Sequence, residues 1–191
     1  MDKFVGMGKD ILQQHLSGQG QKNQDHNSST EGAVLPDEAL KMAQQHAAGA
    51  NAGGSDLFAN IMSAVGQRQS KLQSEEIDEQ DAVKQHQQAY QNDGKGDSST
   101  LGTAAAMQAL KLFTQSSHSA SSTSGQGAFL GMAMTEASKL FDDKAAQGKV
   151  QGGASKENVV QHAVETAMKM YFKSQATSQG GLAGMAAKFL G

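Results

Sequence analysis

The segment Gly127–Phe141, GAFLGMAMTEASKLF, constrains the fold of this chain more than any other stretch. When successive residues are placed about 100° apart around a helix, its apolar side chains share one broad side. Thr135, Ser138 and Lys139 fall on the opposite side. The apolar set is Phe129, Leu130, Ala133, Met134, Ala137, Leu140 and Phe141. A side this wide is typical of a helix that neighbouring helices enclose over most of its surface.

The same frame recurs before and after this segment. The later copy places Val159, Val160, Ala163, Val164, Ala167, Met170 and Tyr171 at the equivalent positions, and the earlier copy places Leu101, Gly102, Ala105, Ala106, Ala109, Leu112 and Phe113 there. Two interpretations stay open: a general likeness among Ala-rich amphipathic helices, or a tandem helical repeat of about 30 residues. Both predict packed helices. We expect Phe129, Ala133, Ala137, Leu140 and Phe141 to be buried against Val160, Ala163, Ala167 and Tyr171.

The pattern of the whole chain predicts an all-α fold, because no segment shows sustained β alternation bounded by turns. We expect a compact helical bundle or short array of about six to eight helices, counted from the periodic segments and their Gly-rich breaks. Helices are predicted at 2–16, 36–48, 55–66, 75–91, 100–116, 127–147, 156–177 and 182–190, and the helix at 55–66 has the alternative of continuing to residue 74. Residues 17–33 carry almost no apolar side chains and predict a flexible linker. The expected organisation is an N-terminal helix and linker over 1–35 and one helical domain over 36–191.

Several local features sharpen these expectations. Residues 75–91 have high helix propensity but a thin apolar stripe, which predicts an exposed helix lying over the core. Ser99 or Thr100 is expected to cap the helix at 100–116, and the Ser-rich run 116–127 is expected to form a loop. Ser155, with Asn158 three residues later, resembles a helix capping arrangement.

Composition narrows the classes of function. The chain has no cysteine, so a disulfide framework, a thiolate nucleophile and a Cys-ligated metal are excluded. A formal charge of −3 without a basic block argues against general nucleic-acid binding. The N-terminus lacks the apolar core of a secretory signal, and no apolar run approaches the ~18 residues of a membrane span. The missing cysteines also favour an intracellular setting.

No set of residues predicts catalysis, a cofactor or a metal site. No two of the six histidines are spaced i, i+4, and the run Asn92–Asp97 lacks the ligands of a calcium loop. Lys139 and Lys169 are expected to be solvated on polar helix faces. His162 and Glu165 are spaced as an i, i+3 pair, which is expected to be a solvated or partly covered contact.

The two ends of the chain carry short amphipathic helices. The possible interaction or membrane-facing residues are Leu182, Met185, Phe189 and Leu190 in the last helix and Phe4 and Ile11 in the first. Such helices dock on a bundle or lie at a membrane interface, and their few basic residues predict only weak membrane contact. Methionine, with 10 residues in the chain, either fills the core or lines an adaptable binding surface.

The blocks GQGAFLGMAMTEASKLFDDKAAQGKV, ENVVQHAVETAMKMYFKSQ and GGLAGMAAKFLG resemble the small fungal family labelled "beta-flanking protein", a domain of unknown function, most clearly over residues 100–191. The resemblance implies a cytosolic fungal protein associated with stress or development, and it carries over no catalytic residue. The absence of a credible catalytic set and of a cofactor fingerprint leads us to expect a non-enzymatic interaction or structural protein. That protein would bind a protein partner, or another copy of itself as a homo-oligomer, through a Met- and Ala-rich helical surface. The alternative is a peripheral protein that binds lipid or a hydrophobic ligand through the terminal helices.

Overall fold

The fold is all-α, as the sequence predicts. The structure is a computed structural model, and it describes residues 41, 45, 55–116, 122–176 and 181–190. Within this part it contains seven α-helices and no strand. They are α1 (Ser55–Gln67), α2 (Gln69–Ser74), α3 (Glu79–His86), α4 (Ser98–Ser116), α5 (Ser122–Ala146), α6 (Lys156–Ala176) and α7 (Gly181–Leu190), and a π-helical turn, Gln87–Gln91, extends α3. The predicted helix at 2–16 and the linker at 17–33 lie outside the described residues.

The core is formed by the three long helices α4, α5 and α6, each of which packs against the other two. Helix α3 lies on α4, helices α1 and α2 lie on α6, and α7 contacts both α4 and α6. Helices α5 and α6 are antiparallel, because Gln126 Nε2 lies 3.7 Å from Met168 Sδ while Lys156 Nζ lies 2.7 Å from Asp142 Oδ2. The short helices therefore surround a three-helix centre.

The recurring frame of the sequence is the buried side of these three helices. Ala105, Ala133 and Ala163 occupy equivalent positions in α4, α5 and α6, and all three are fully buried. The next position of the frame, one turn later, gives the same result: Ala109, Ala137 and Ala167 are fully buried. Phe129 and Leu140 are buried as expected, whereas Phe141 and Tyr171 are partly buried at the edge of the core.

Helix α4 approaches α6 most closely at Gly102. A Cβ atom on Gly102 would lie 2.6 Å from His162 Cβ and 2.9 Å from the backbone nitrogen of Ala163. Real Cβ atoms do not come this close to backbone atoms, so the hydrogen of glycine is what allows the two helices to touch. Gly102 thus sets the spacing between α4 and α6.

Helix α5 differs from its prediction at its start and on its polar side. It begins at Ser122, within the run that was predicted to be a loop, and Gly125, Gln126 and Gly127 are buried inside it. Thr135 and Ser138 are also buried, although the helical pattern places them opposite the apolar side. Whether this side is buried depends on the elements that pack against it, and the sequence pattern of α5 does not identify those elements.

The start of α4 also differs from its prediction. Its N-cap is Asp97 and not Ser99 or Thr100, because Asp97 Oδ1 accepts a hydrogen bond of 2.8 Å from the Thr100 backbone N–H. The cap of α6 follows the prediction: Ser155 Oγ accepts a hydrogen bond of 3.2 Å from the backbone N–H of Asn158.

The segment predicted as one exposed helix over 75–91 is built differently. Residues 75–78 form a non-helical connector, and the helix begins at Glu79 with Asp78 as its N-cap. Ala82, His86 and Ala89 are buried, and His86 Nε2 lies 3.0 Å from Gln108 Oε1 of α4. The helix therefore lies over the core as expected, and its docked face is formed by small residues and one histidine.

The loop before α4 and the loop after α5 hold each other in place. Gly96 exchanges two backbone hydrogen bonds with the loop after α5, at 3.1 Å to Lys149 O and 2.9 Å from Gln151 N. Asp93 Oδ1 accepts a hydrogen bond of 2.7 Å from Lys144 Nζ, and its other carboxylate oxygen accepts one from Lys149. The loop that contains Asn92–Asp97 is therefore tied to the loop after α5 by two backbone hydrogen bonds and by the contacts of Asp93 with Lys144 and Lys149.

Candidate functional site: a polar cleft

A cleft with a volume of about 360 Å³ is lined almost entirely by polar side chains, and we call it the polar cleft. Five parts of the fold contribute to it: the turn between α1 and α2, the connector 75–78, and helices α3, α4 and α6. Its lining residues are Arg68, Glu75, Glu76, Ile77, Asp78, Asp81, Ala82, Gln85, Ser99, Thr103, His162, Glu165, Thr166 and Lys169. The cleft exists only because these distant segments pack together.

A buried carboxylate forms part of its wall. Glu165 of α6 is only 6 % exposed, and its Oε1 atom lies 2.5 Å from Arg68 Nη1. The same oxygen accepts a hydrogen bond of 3.0 Å from Gln161 Nε2. Burying a charge is costly unless it is paired, so Arg68 makes this position tolerable for a carboxylate. Glu165 is thus paired with Arg68 and not with His162, contrary to the i, i+3 pair that the sequence predicts.

A second ion pair fastens the connector 75–78 to α6. Lys169 Nζ lies 2.6 Å from Glu75 Oε2, and this hydrogen bond is the main reason that the pKa of Glu75 is held below its usual value. The side chain of Lys169 is only 21 % exposed, so the expectation of a solvated lysine is wrong here. Lys139, by contrast, is 59 % exposed, as expected.

Carboxylates outnumber cations in the cleft. Five carboxylates and two cations line it, which leaves a formal charge of −3 when His162 is neutral. Arg68 and Lys169 are each bound to a carboxylate, while Glu76, Asp78 and Asp81 are exposed at the rim. The cleft therefore has a negative net charge, and its two cations are already bound to carboxylates.

Of the interaction residues expected from the sequence, the structure describes the side chain of Leu182, which does not line this cleft. Leu182 is buried, only 9 % exposed, on helix α7, which packs on α4 and α6. The side chains of Met185, Phe189 and Leu190, and the whole of Phe4 and Ile11, lie outside the described residues. A membrane-facing role for Leu182 would require α7 to leave the bundle.

Several methionines of the long helices lie in the interior of the bundle. Met107, Met134, Met168 and Met170 are fully buried, and so are the alanines of the recurring frame. Among these methionines the structure therefore supports core filling and not an exposed binding surface.

Sequence analysis named Ser99, His162, Glu165 and Lys169 but did not predict that they share a cleft. Among the other lining residues, Arg68 carries a signal that could have been used. Arg68 is the single arginine of the chain, and arginine is the residue best suited to pair with a buried carboxylate. The partner of Arg68 is 97 positions away, so the pair itself is invisible to local pattern. No group of three or more His, Asp or Glu residues within the described parts of the chain is arranged to hold a metal ion. Among the described helices, none is both long and apolar enough to cross a membrane.

Comparison with known proteins identifies one family over part of the chain. Residues 36–118 match the model of a family described as "Domain of unknown function (DUF7721)". The match covers less than half of the chain and ends just after α4, so it includes the cleft walls from α3 and α4 but not the wall from α6. No curated protein and no solved structure matches the chain. The match overlaps the region of clearest resemblance to the fungal family, residues 100–191, only at 100–118, and it does not confirm that family.

Proposed function

We propose that this protein is a non-enzymatic helical interaction protein that binds its partner through the polar cleft. The observation that carries the proposal is the cleft itself, in which the Arg68–Glu165 and Lys169–Glu75 ion pairs hold four of the seven charged groups in place. Polar groups that are already oriented lose little entropy when a partner binds, which favours recognition. The same pairs engage the two carboxylates in permanent contacts, which suits binding better than proton transfer.

This proposal moves the binding surface from where the sequence placed it. The buried methionines and alanines of α4, α5 and α6 stabilise the bundle, and the partner meets the charged groups that the bundle holds at its surface. Helices of a bundle commonly build ligand sites from side chains on facing elements.

Three finer points belong to the proposal and rest on the resemblance of the sequence. They are membership of the fungal family, a role in stress or development, and action in the cytoplasm. A fluorescent fusion of the full chain, followed by microscopy in fungal cells before and after stress, tests the location. Enrichment of the fusion in an organelle would contradict the cytoplasmic assignment.

Selection of short peptides from a displayed random library against the full-length protein tests the interaction function. Selected peptides are then measured against Ser99→Trp, which places a large ring at the rim of the cleft, and against Gln115→Trp, at the far end of α4. Both residues are exposed, so each substitution leaves the core intact. We expect Ser99→Trp to weaken binding and Gln115→Trp to leave it unchanged. Equal binding to both variants, or no selected peptide, would contradict the proposal.

Peripheral lipid binding, the alternative from the sequence, is tested in parallel by co-sedimentation with vesicles of neutral and anionic lipids. Helix α7 packs Leu182 and Ala186 against the bundle, so we expect the full chain to stay in solution. Sedimentation of the full chain, lost when residues 182–191 are removed from a variant that stays folded by circular dichroism, would favour the lipid function instead.

A further inference from the structure

The chemistry of the polar cleft indicates which kind of partner group fits it, an inference that rests on the function proposed above. Glu165 is 94 % buried, and the hydrogen bonds from Arg68 and Gln161 both end on its Oε1 atom. Its Oε2 atom receives no hydrogen bond from a described residue. Oε2 is not fully enclosed, so this carboxylate oxygen, a strong acceptor, can take a donor from the cleft.

A second acceptor in the wall of the cleft also lacks a donor. The Oε1 atom of Gln85 is buried and has no hydrogen-bond partner among the described residues. The Nε2 atom of the same side chain donates to Asp81 Oδ2, so exchanging the two amide atoms would place oxygen against oxygen. The amide orientation is therefore fixed by Asp81. Of these two acceptors, Gln85 Oε1 is enclosed, whereas Glu165 Oε2 is open to a donor in the cleft.

The net charge of the cleft selects among donors. Because Arg68 and Lys169 are bound to carboxylates, an anion would meet a cleft whose described residues carry a net negative charge. A cation would be attracted by Glu76, Asp78 and Asp81 at the rim, which raise its local concentration and its rate of association. A bare metal ion is disfavoured because no group of three ligating residues within the described ranges is suitably arranged.

We propose that the polar cleft binds a lysine or arginine side chain from a segment of a partner protein. The cationic head donates a hydrogen bond to Glu165 Oε2, and the acidic rim neutralises its charge. A cleft of about 360 Å³ lies near the lower end of the ~300–1,000 Å³ of ligand pockets, so it takes one long side chain and its flanking backbone.

The test uses fluorescein-labelled Gly/Ser peptides that differ only at the central residue, titrated with the full-length protein and read by fluorescence polarisation. The central residue is lysine, arginine, Nε-acetyl-lysine, glutamine or glutamate. We expect the lysine and arginine peptides to bind at least about tenfold more tightly than the others, since charge-assisted hydrogen bonds are roughly twice as strong as neutral ones. We also expect their binding to weaken as salt is raised.

Two variants and one control locate the binding. Glu76→Gln removes a rim charge, and Glu165→Gln replaces the buried carboxylate by an amide of the same shape. Glu157→Gln, an exposed residue of α6 outside the cleft lining, is the matched control. We expect the first two to weaken lysine-peptide binding and the control to leave it unchanged. If Glu165→Gln fails to fold, Glu76→Gln carries the comparison.

The outcomes separate this inference from the function on which it rests. Binding of the lysine peptide that Glu76→Gln weakens and Glu157→Gln does not would support the inference. Preference for the glutamate or glutamine peptide would overturn the cationic partner while leaving a cleft that binds peptides. No binding by any of these peptides, when library peptides do bind at the cleft, would overturn the cationic inference alone. Tighter binding of spermidine than of the lysine peptide would replace the protein segment by a free polyamine and overturn the proposal as stated.

Discussion

Arg68 Nη1 lies 2.5 Å from Glu165 Oε1 and thereby ties the turn between α1 and α2 to the middle of α6. The side chain of Glu165 is only 8 % exposed, whereas that of Arg68 is 43 % exposed. The two partners therefore differ in their access to solvent. Water can stabilise the charge of Arg68 without Glu165, but it reaches the carboxylate of Glu165 poorly. The pair is both a structural contact and a wall of the cleft.

Arg68→Met is expected to lower the free energy of unfolding by about 1–3 kcal/mol, because it leaves a buried carboxylate without its cation. Urea denaturation monitored by circular dichroism measures the loss. Lys71→Met, at an exposed lysine 3.7 Å from Glu75, is the control and should change stability little. In the double variant Arg68→Met/Glu165→Leu we expect much of the loss to be recovered, since no buried charge remains. A double variant as unstable as Arg68→Met would mean that the loss comes from packing.

Gly102→Ala is expected to destabilise the protein by about 1–3 kcal/mol, because the added methyl group meets the backbone of α6 and forces α4 away from it. Gly66→Ala is the matched control in an exposed helical position of α1, where an added Cβ meets nothing within 4 Å. There the same substitution should stabilise by about 0.4–1 kcal/mol, since it restricts the unfolded chain. Thermal unfolding of both variants gives the two signs. Stabilisation by Gly102→Ala would show that the α4–α6 contact is looser than the structure has it.

Asp97→Ala is expected to cost about 1 kcal/mol, because it removes the acceptor that caps the Thr100 backbone N–H at the start of α4. That hydrogen bond is also the main reason that the pKa of Asp97 is held below its usual value. Asp97→Asn keeps the acceptor oxygen and should lose only a few tenths of a kcal/mol, from the missing charge at the positive end of the helix. Chemical denaturation separates the two variants. Equal losses would assign the effect to charge and not to capping.

Asp93→Asn is expected to lower the melting temperature at neutral pH, because Lys144 is buried and Asp93 holds it together with Lys149. The hydrogen bonds from these lysines keep the pKa of Asp93 below its usual 3.8. A carboxyl group whose pKa falls on folding stabilises the protein above its unfolded pKa, and that stabilisation is lost as the pH drops through the folded pKa.

The difference in melting temperature between wild type and Asp93→Asn should therefore be constant from pH 7 to about 5 and shrink below about pH 4. Asp142→Asn, whose carboxylate is as exposed as that of Asp93 and pairs with the more exposed Lys156, is the control and should show a smaller effect. A difference that persists unchanged at low pH would remove the ion pair as its cause.

Much of the fold could be predicted from local pattern. The break after α5 could be predicted from its glycines. Gly148, Gly152 and Gly153 all adopt positive φ, which glycine tolerates best. The start of α6 was readable because Ser155 caps it through a neighbour three residues away. The start of α5 was not, because the Ser/Gly run has weak helix propensity and Gly125 to Gly127 are buried inside the helix.

The sequence by itself determined the helical class and the buried side of the three long helices, because apolar and small residues recur there with the period of the helix. It determined that Ala133 and Ala137 face inwards, and they do. Tertiary structure alone decided that Glu165 pairs with Arg68, that Lys169 holds Glu75, and that these groups line one cleft. The physical reason is range: helical periodicity is set by neighbours within four residues, whereas ion pairs form between whichever distant charges packing brings together.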